Sequence, residues 1–438
     1  VKNRRTVALV SLGCPKNLVD SENIVSTLMS NDFRIVTEPK EAELVIVNTC
    51  GFLDASRKES LEVINGAVEM KRRHGVQGVL VAGCMVGNYR ELLEREAPGV
   101  DRLVGFDDYG RIDRIVDGLF PAETAPSFHV ERRRMDVSLT PGHFAYLKIS
   151  EGCNHTCSFC VIPSIRGKMK SVPTEELVLR AKGLAGRGVK ELVLIAQDST
   201  LYGADLYGDV RLDRLLRRLD TVEGLRWLRL MYAYPTEVKA PLIEAMASCG
   251  KVAPYLDVPI QHADDRVLKR MLRAYGRSLL DDMVGALRAK IPGIALRTTV
   301  IVGFPGETDE EFETLVDFLR RAEFDRLGCF AYSQEEGSAA AELGAQVPED
   351  VKAARRERLM LLQQEIAFRK TAARVGTSFD VLVDAAAENG RPARARAAFD
   401  APEVDCNVLL DDATLKAGDF LRVTATAAEG YDLRARRA

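Results

Sequence analysis

The sequence predicts a multidomain α/β protein: a parallel α/β amino-terminal domain, an open (β/α)6 barrel in the centre, and a small carboxy-terminal β-barrel. Three observations carry that prediction. Over residues 1–135, β-branched apolar runs alternate with helical periodicity, the pattern of parallel strands joined by crossover helices. Six further strand-then-helix units follow over 140–370. Over 374–438 the pattern changes to short alternating stretches separated by Gly, Pro and Asp. A chain of 438 residues is long enough for about three such domains.

In the first domain, Val7–Leu12, Glu43–Asn48 and Gly78–Ala82 read as strands. Helices are expected after them near Asp20–Met29, Ala55–Arg72 and Tyr89–Glu96. Each strand runs straight into a cysteine, in Leu12-Gly-Cys14, Asn48-Thr-Cys50 and Ala82-Gly-Cys84. Ligands of open α/β sheets gather beyond the carboxyl ends of the strands, so Cys14, Cys50 and Cys84 are expected to converge as a three-thiolate metal site. Asn17, Asp20 and Asn48 share that edge and would orient the thiolates by hydrogen bonds, although helix capping accounts equally well for Asp20. The plainer alternative is three unrelated buried thiols, since free cysteine is among the most buried residue types. Cys249, Cys329 and Cys406 lack the pattern and read as packing residues.

The central strands are expected at Ala145–Ser150, Glu191–Ala196, Trp227–Tyr232, Tyr255–Ile260, Ala295–Val302 and Leu327–Tyr332. Polar or glycine-rich residues sit at their ends, on the barrel face where chemistry is expected. They are Gln197-Asp198, Tyr234, Gln261-His262, the turn Gly303-Phe304-Pro305-Gly306-Glu307, and Ser333. The first strand leads into Glu151-Gly-Cys153-Asn-His-Thr-Cys157-Ser-Phe-Cys160. Three thiolates can hold a four-iron cubane with one iron left open to a small molecule, whereas electron-transfer clusters use four cysteines. Zinc is the second reading of the spacing: it wants a fourth ligand, and His155 lies between the first two cysteines. The glycines of the 303–307 turn would let a flat ring approach the backbone, although Gly and Pro after a strand commonly just make a turn. His262 reads more readily as structural. Arg166, in Ile-Pro-Ser-Ile-Arg-Gly, suits an anionic ligand and a surface position equally.

Charge and composition bound the partners. A net charge of −3 provides no global field for nucleic acid or an anionic membrane. The start, Val1-Lys-Asn-Arg-Arg followed by a short apolar run, mimics a signal peptide but leads into Gly-Cys-Pro without a small-residue cleavage site, so a first strand is expected. No apolar run approaches the roughly 18 residues of a membrane span. Nine cysteines, an odd number, favour a reducing cytoplasm and metal ligation over disulfides. Residues 349–373 read as one long connecting helix. The terminal barrel, with strands near Phe379–Val383, Asn407–Leu410 and Phe420–Thr424, carries nine Lys/Arg against eleven Asp/Glu. A barrel gripping RNA by its phosphates should be clearly basic; this one better suits a basic protein partner.

Taken with Phe159 just before the last cysteine, the three-cysteine loop resembles that of the radical S-adenosylmethionine (SAM) enzymes. The order of parts resembles, over essentially the whole chain, the radical SAM methylthiotransferases with their terminal TRAM barrel. The wording of Ser11–Glu22, Ala145–Cys153, Ile162–Gly167, Ala196–Thr200, Tyr255–Ala263 and Asp400–Asp405 is similar to the branch acting on an aspartate of ribosomal small-subunit protein S-twelve. The branch acting on transfer RNA tends to read Gly-Cys-Gln-Met-Asn and Gly-Gln-Asn where this chain has Pro15-Lys16 and Gln197-Asp198. Val172 and Cys406 depart from the family pattern, at positions where arginine and glycine are usual.

The resemblance implies two [4Fe-4S] clusters, one on Cys153, Cys157 and Cys160 that cleaves SAM, the other on Cys14, Cys50 and Cys84 that carries sulfur. It implies SAM as both methyl donor and radical source, with Phe159, Gln197, Asp198, Gly303, Phe304, Pro305, Gly306 and Glu307 as candidate SAM contacts. The implied partners are protein S-twelve as substrate and a low-potential electron donor such as flavodoxin or ferredoxin, with RNA contact not required. The alternatives are methylthiolation of a transfer RNA adenosine and, in another class, a non-enzymatic iron–sulfur carrier, for which four cysteines per cluster and no SAM turn would be expected.

Overall fold

The computed structural model describes residues 5–120 and 137–438. The leading Val1–Arg4 and the expected end of the first domain near residue 135 lie outside the described residues. The chain forms two compact units. The first holds the residues up to Leu139 together with Gly152–Asn154 and Val161–Lys168. The second holds Thr140–Glu151, His155–Cys160 and Met169–Ala438, so the central and terminal barrels share one unit.

The first unit is built on strands β1 (Thr6–Ser11), β2 (Arg34–Val36), β3 (Leu44–Thr49), β4 (Gly78–Gly83) and β5 (Arg102–Val104). They pair in the order β2-β1-β3-β4-β5, parallel throughout. Every residue of β3 and β4 is buried, because alternate side chains feed two separate cores. Val45, Val47, Val79 and Val81 pack with Ile64 and Ala67 of helix α2 (Asp54–Arg73) on one face. Leu44, Ile46 and Leu80 pack with Ile24 and Leu28 of α1 (Pro15–Ser30) on the other. The three-residue edge strands β2 and β5 escaped the sequence reading because each opens on an exposed arginine and offers too few apolar residues for a periodicity.

Two helix boundaries differ from expectation. α1 starts at Pro15 with Cys14 as its N-cap residue, as suits proline's fixed φ in a first helical turn. Asp20 is therefore buried inside the helix and is not a cap. The single helix expected at Tyr89–Glu96 is preceded by a short one, α3 (Cys84–Asn88), with α4 at Arg90–Glu96. α5 (Ile112–Asp117) and α6 (Ile162–Arg166) are further α-helices of this unit.

In the second unit, β6 (Phe144–Lys148) is followed by a two-rung antiparallel ladder of β7 (Ser150–Glu151) and β8 (Lys170–Ser171). Then come β9 (Glu191–Ile195), β10 (Trp227–Leu230), β11 (Val252–Asp257), β12 (Ala295–Val302) and β13 (Arg326–Ala331). The order β6-β9-β10-β11-β12-β13 is sequential and parallel, and among the described residues β6 and β13 do not pair, so the six-stranded barrel is open. Helices between the strands close its outer face; Leu212, Leu215, Leu216 and Leu219 form the fully buried stripe of one of them. Cys249 and Cys329 lie in this core.

Helix Glu349–Ala372 leads to a closed barrel of β14 (Ser378–Ala385), β15 (Ala393–Ala397), β16 (Val408–Leu410), β17 (Phe420–Glu429) and β18 (Asp432–Arg437). The sequence reading missed β15 and β18, whose alternation is between alanine or leucine and arginine. Residues 396–405 of this barrel bind all six strands of the central one. Arg396 donates to Glu191 at 2.7 Å, Arg229 to the Ala398 carbonyl at 2.8 Å, and Arg326 to Asp400 at 2.6 Å. Tyr146 donates to Glu403 at 2.7 Å, while Tyr255 and Arg297 donate to Asp405 at 2.8 and 2.7 Å. Asp384 is engaged the same way by His143 and Arg396. Four of the terminal barrel's acidic residues, Asp384, Asp400, Glu403 and Asp405, are thus engaged with the central barrel. No helix among the described residues is long and apolar enough to cross a membrane.

Candidate functional site

In the first unit, Cys14, Cys50 and Cys84 follow β1, β3 and β4, which are neighbours in the sheet. Strand adjacency brings the three cysteines to one edge. Glycine makes the approach close enough. Gly13 has φ +88°, and a Cβ there would lie 2.7 Å from the Cys50 Cβ and 3.0 Å from its Sγ. Gly83 has φ +92°, and its Cβ would meet Asn48 Oδ1 and the Thr49 backbone at 2.4–2.7 Å. Asn17 donates to the carbonyls of Leu12, Asn48 and Thr49, and Asn48 donates back to the Asn17 carbonyl and to Ser21. These amides fasten the strand ends together and do not themselves bond a thiolate.

Arg166, from α6, is a buried cation at this edge. Its side chain is 2% exposed, so it is no surface residue. It donates to Asp20 Oδ2 at 3.0 Å, and to Asn17 Oδ1 and Cys84 Sγ at 3.4 Å, with its guanidinium 4.5 Å from the centre of the Phe106 ring. Burial pushes the Cys84 thiol up to about 11, against the pull of Arg166.

The Cys153–Cys160 loop is divided between the units. Cys153 donates its N–H to the Gly167 carbonyl at 3.1 Å. Gly152, at φ +78°, is pressed on the Lys168 carbonyl, 2.3 Å from where a Cβ would stand. Within the second unit, Cys157 accepts from Arg273 Nη1 at 3.1 Å. Arg273 also donates to Tyr275 Oη at 2.7 Å and to the Pro259 carbonyl at 3.0 Å, and lies 4.3 Å over the Tyr234 ring. The other side of this assembly is His155, stacked on Tyr234 with ring centroids 3.7 Å apart and its Nε2 2.6 Å from Asp198 Oδ2. Nothing in the spacing of the sequence pointed to Arg273; it follows helix Asp265–Arg270 and is recognisable only once that helix is folded against the loop.

The candidate SAM contacts divide into framework and open groups. Asp198 is engaged through both oxygens, by His155 and by the Thr200 N–H and hydroxyl, and so orders the loop. Gln197 donates to Glu151 at 2.7 Å while its Oε1 is buried without a hydrogen-bond partner among the described residues, an acceptor available to a ligand. Glu307 closes its own turn: Oε1 accepts from Gly303 N–H and Arg355, and Oε2 from Phe304 N–H. Phe304 is fully buried against Val267, Met271, Tyr332 and Ala340, with Phe159 packed on the same cluster. Pro305 is buried beside it. The open side of Gly303 is filled by the Lys352 stem, 2.3 Å from where a Cβ would stand, so this glycine serves Lys352 and not a flat ligand ring. Gly306 has only Arg270 Nε nearby, at 3.9 Å, and that Nε has no partner among the described residues. Buried His262 accepts from Asp264 N–H at 3.0 Å and is structural.

Among the described residues no three His, Cys, Asp or Glu side chains converge closely enough to hold a single metal ion. That absence of a single-ion cluster counts against the zinc reading of the loop. A cubane distributes its thiolates over different irons and so holds them farther apart than one ion does. Three thiols on adjacent strand ends, made room for by glycine and faced by one arginine, fit that group.

An open parallel barrel with a three-cysteine loop after its first strand, followed by a small closed barrel, defines a radical SAM enzyme carrying a TRAM domain. Family models agree: "Radical SAM superfamily" matches residues 147–319, "Uncharacterized protein family UPF0004" matches 6–105, and "TRAM domain" matches 375–437. The chain is 45% identical over 436 residues to the ribosomal protein uS12 methylthiotransferase RimO of Symbiobacterium thermophilum, covering 98% of this chain and 90% of that one. It is 45% identical to the protein of that name from Pelotomaculum thermopropionicum and 41% to that from Geobacter sulfurreducens, each over 98% of both chains. It belongs to the RimO family of radical SAM methylthiotransferases. Among solved structures, the radical SAM methyltransferase TsrM of Kitasatospora setae shares the fold, with a TM-score of 0.56, 17% identity and 75% of each chain covered.

Proposed function

We propose that this enzyme adds a methylthio group to the β-carbon of an aspartate in ribosomal protein uS12. The observation that carries the proposal is the near full-length similarity to uS12 methylthiotransferases, with all six cysteines of the two candidate sites present. The target C–H bond has no acidic proton, so no side-chain base can functionalise it at neutral pH, and a cofactor must supply the reactivity. Bound here, two [4Fe-4S] clusters and SAM would supply a deoxyadenosyl radical to take the hydrogen and a sulfur that SAM methylates. Cys153, Cys157 and Cys160 would hold the cluster that SAM approaches; Cys14, Cys50 and Cys84 would hold the second.

The chain's own residues prepare these sites. Arg273 donates to the Cys157 sulfur and is itself held by Tyr275 and the Pro259 carbonyl. His155, between Asp198 and Tyr234, stiffens the loop that carries Cys157 and Cys160. Gln197 offers its unpaired Oε1, and the Gly303–Glu307 turn is pre-formed by Glu307, whose carboxyl burial pushes up against the pull of Arg355. The reading includes a low-potential electron donor, such as a flavodoxin or ferredoxin, and a reaction in the cytoplasm.

The test offers the loaded enzyme uS12 and bulk transfer RNA together, with SAM labelled in its methyl group. Label on a uS12 aspartate supports the proposal; label only on a transfer RNA adenosine transfers the enzyme to the sister activity.

A further inference from the structure

Arg166 stands apart from the groups that build the amino-terminal cysteine edge. It is a nearly inaccessible cation that reaches a candidate cluster thiol, Cys84, at 3.4 Å. It is not free to move: the Asp20 carboxylate holds it at 3.0 Å, itself 4% exposed, and the Phe106 ring covers it. An ion pair this deep is a poor source of stability, because desolvation offsets most of its attraction. Fold stability alone therefore gives little reason for it, whereas a bond to sulfur does.

We propose that Arg166 sets the reduction potential of the cluster held by Cys14, Cys50 and Cys84, with Asp20 as the opposing charge that moderates it; the inference rests on the reading of these cysteines as a cluster site. Adding an electron makes a cluster more negative. A donor to its sulfur and a nearby positive charge favour that form, and an adjacent carboxylate disfavours it. The two side chains therefore act with opposite sign on the same quantity. Arg166→Gln lowers the potential, and Asp20→Asn, which keeps the arginine and its bond to Cys84, raises it. A pair that merely held α6 against α1 would show no such opposition.

The experiment uses the full chain carrying Cys153→Ala, Cys157→Ala and Cys160→Ala, so that only the amino-terminal cluster can form. Each variant is loaded anaerobically with iron and sulfide, its iron counted, and its midpoint potential measured by titration with dithionite followed by electron paramagnetic resonance. Arg166→Gln is expected to shift the oxidised-to-reduced ratio at fixed potential about tenfold toward oxidised, a fall of about 59 mV for a one-electron couple. Arg166→Lys recovers part of the fall, and Asp20→Asn shifts the ratio the other way. Equal iron with unchanged potentials, or shifts of one sign, overturns the inference. If Arg166→Gln fails to fold or load, Asp20→Asn decides alone: an unchanged potential there overturns it. Absence of iron in the chain with Arg166 and Asp20 intact overturns instead the cluster reading on which the inference rests.

Discussion

Replacing Gly13 by alanine tests how the amino-terminal site is made. The new Cβ would stand 2.7 Å from the Cys50 Cβ and 3.0 Å from its sulfur. Ordinary carbon contacts lie at about 3.5–4.0 Å, so either Cys50 or the β1 end must retreat by about 1 Å. The backbone adds its own penalty, since φ is +88° at this position and a left-handed conformation costs an L-residue roughly 1–2 kcal/mol. Against a typical stability of about 5–15 kcal/mol, the chain still folds. A site that must hold its ligands within roughly 0.5 Å does not tolerate the displacement. The expected result, in full-length protein lacking Cys153, Cys157 and Cys160, is a native circular dichroism spectrum with most of the reconstituted iron lost. Iron content equal to that of the glycine protein would refute the argument that Gly13 shapes this site around Cys50.

Three further outcomes are expected. Arg396→Ala removes the guanidinium shared by Glu191 and Asp384. Burial pushes Glu191 up, but Arg229 and Arg396 outweigh it and hold the carboxyl below its ordinary range, so losing Arg396 costs about 3–5 kcal/mol in chemical denaturation; a loss under about 1 kcal/mol would mean the two barrels are held by other contacts. Burial pushes the His262 imidazole down to about 3 from 6.5, so between those values the unfolded chain binds a proton that the folded one does not. Its stabilising contribution is complete above pH 6.5 and falls by up to about 1.4 kcal/mol per pH unit as pH drops toward 3; His262→Asn, which can still accept the Asp264 N–H, flattens this limb, and an unaltered limb contradicts the assignment. Cys153→Ala abolishes deoxyadenosine formation while leaving iron on the amino-terminal site, measured by product chromatography and metal analysis; deoxyadenosine at the original rate would remove Cys153 from the ligand set.

The architecture was legible because it rests on strong periodic signals. Val45–Val47 and Val79–Val81 are buried on both faces and read as unbroken apolar runs, and the cysteines at their ends needed only the rule that parallel strands deliver ligands to one edge. The edge strands Arg34–Val36 and Arg102–Val104 were silent because three residues opening on an exposed arginine are too few for a periodicity, and Ala393–Ala397 because alanine is a weak strand former and its arginines read as solvent-facing, although Arg396 is buried against Glu191 and Asp384. The electrostatic partners were less legible still. Asp20 resembled a cap because its type suits one, yet Pro15 starts the helix earlier and leaves Asp20 inside to meet Arg166. Arg273 reaches Cys157 across 116 positions of sequence, a pairing no local pattern encodes. The placement of the terminal barrel's charge was hidden for a related reason. A count of acidic residues cannot show that Asp384, Asp400, Glu403 and Asp405 face the central barrel.

This chain transfers a methylthio group to a carbon of uS12. The most direct measurement is anaerobic: the iron- and sulfide-loaded protein is given SAM, a reductant and uS12, and the tryptic peptides are weighed alongside assay of deoxyadenosine. The expected product is one uS12 peptide in which a methylthio group replaces a hydrogen on an aspartate, with deoxyadenosine formed in step. Deoxyadenosine without that peptide would contradict the substrate, and a fully loaded protein yielding neither would contradict the enzyme's proposed reaction.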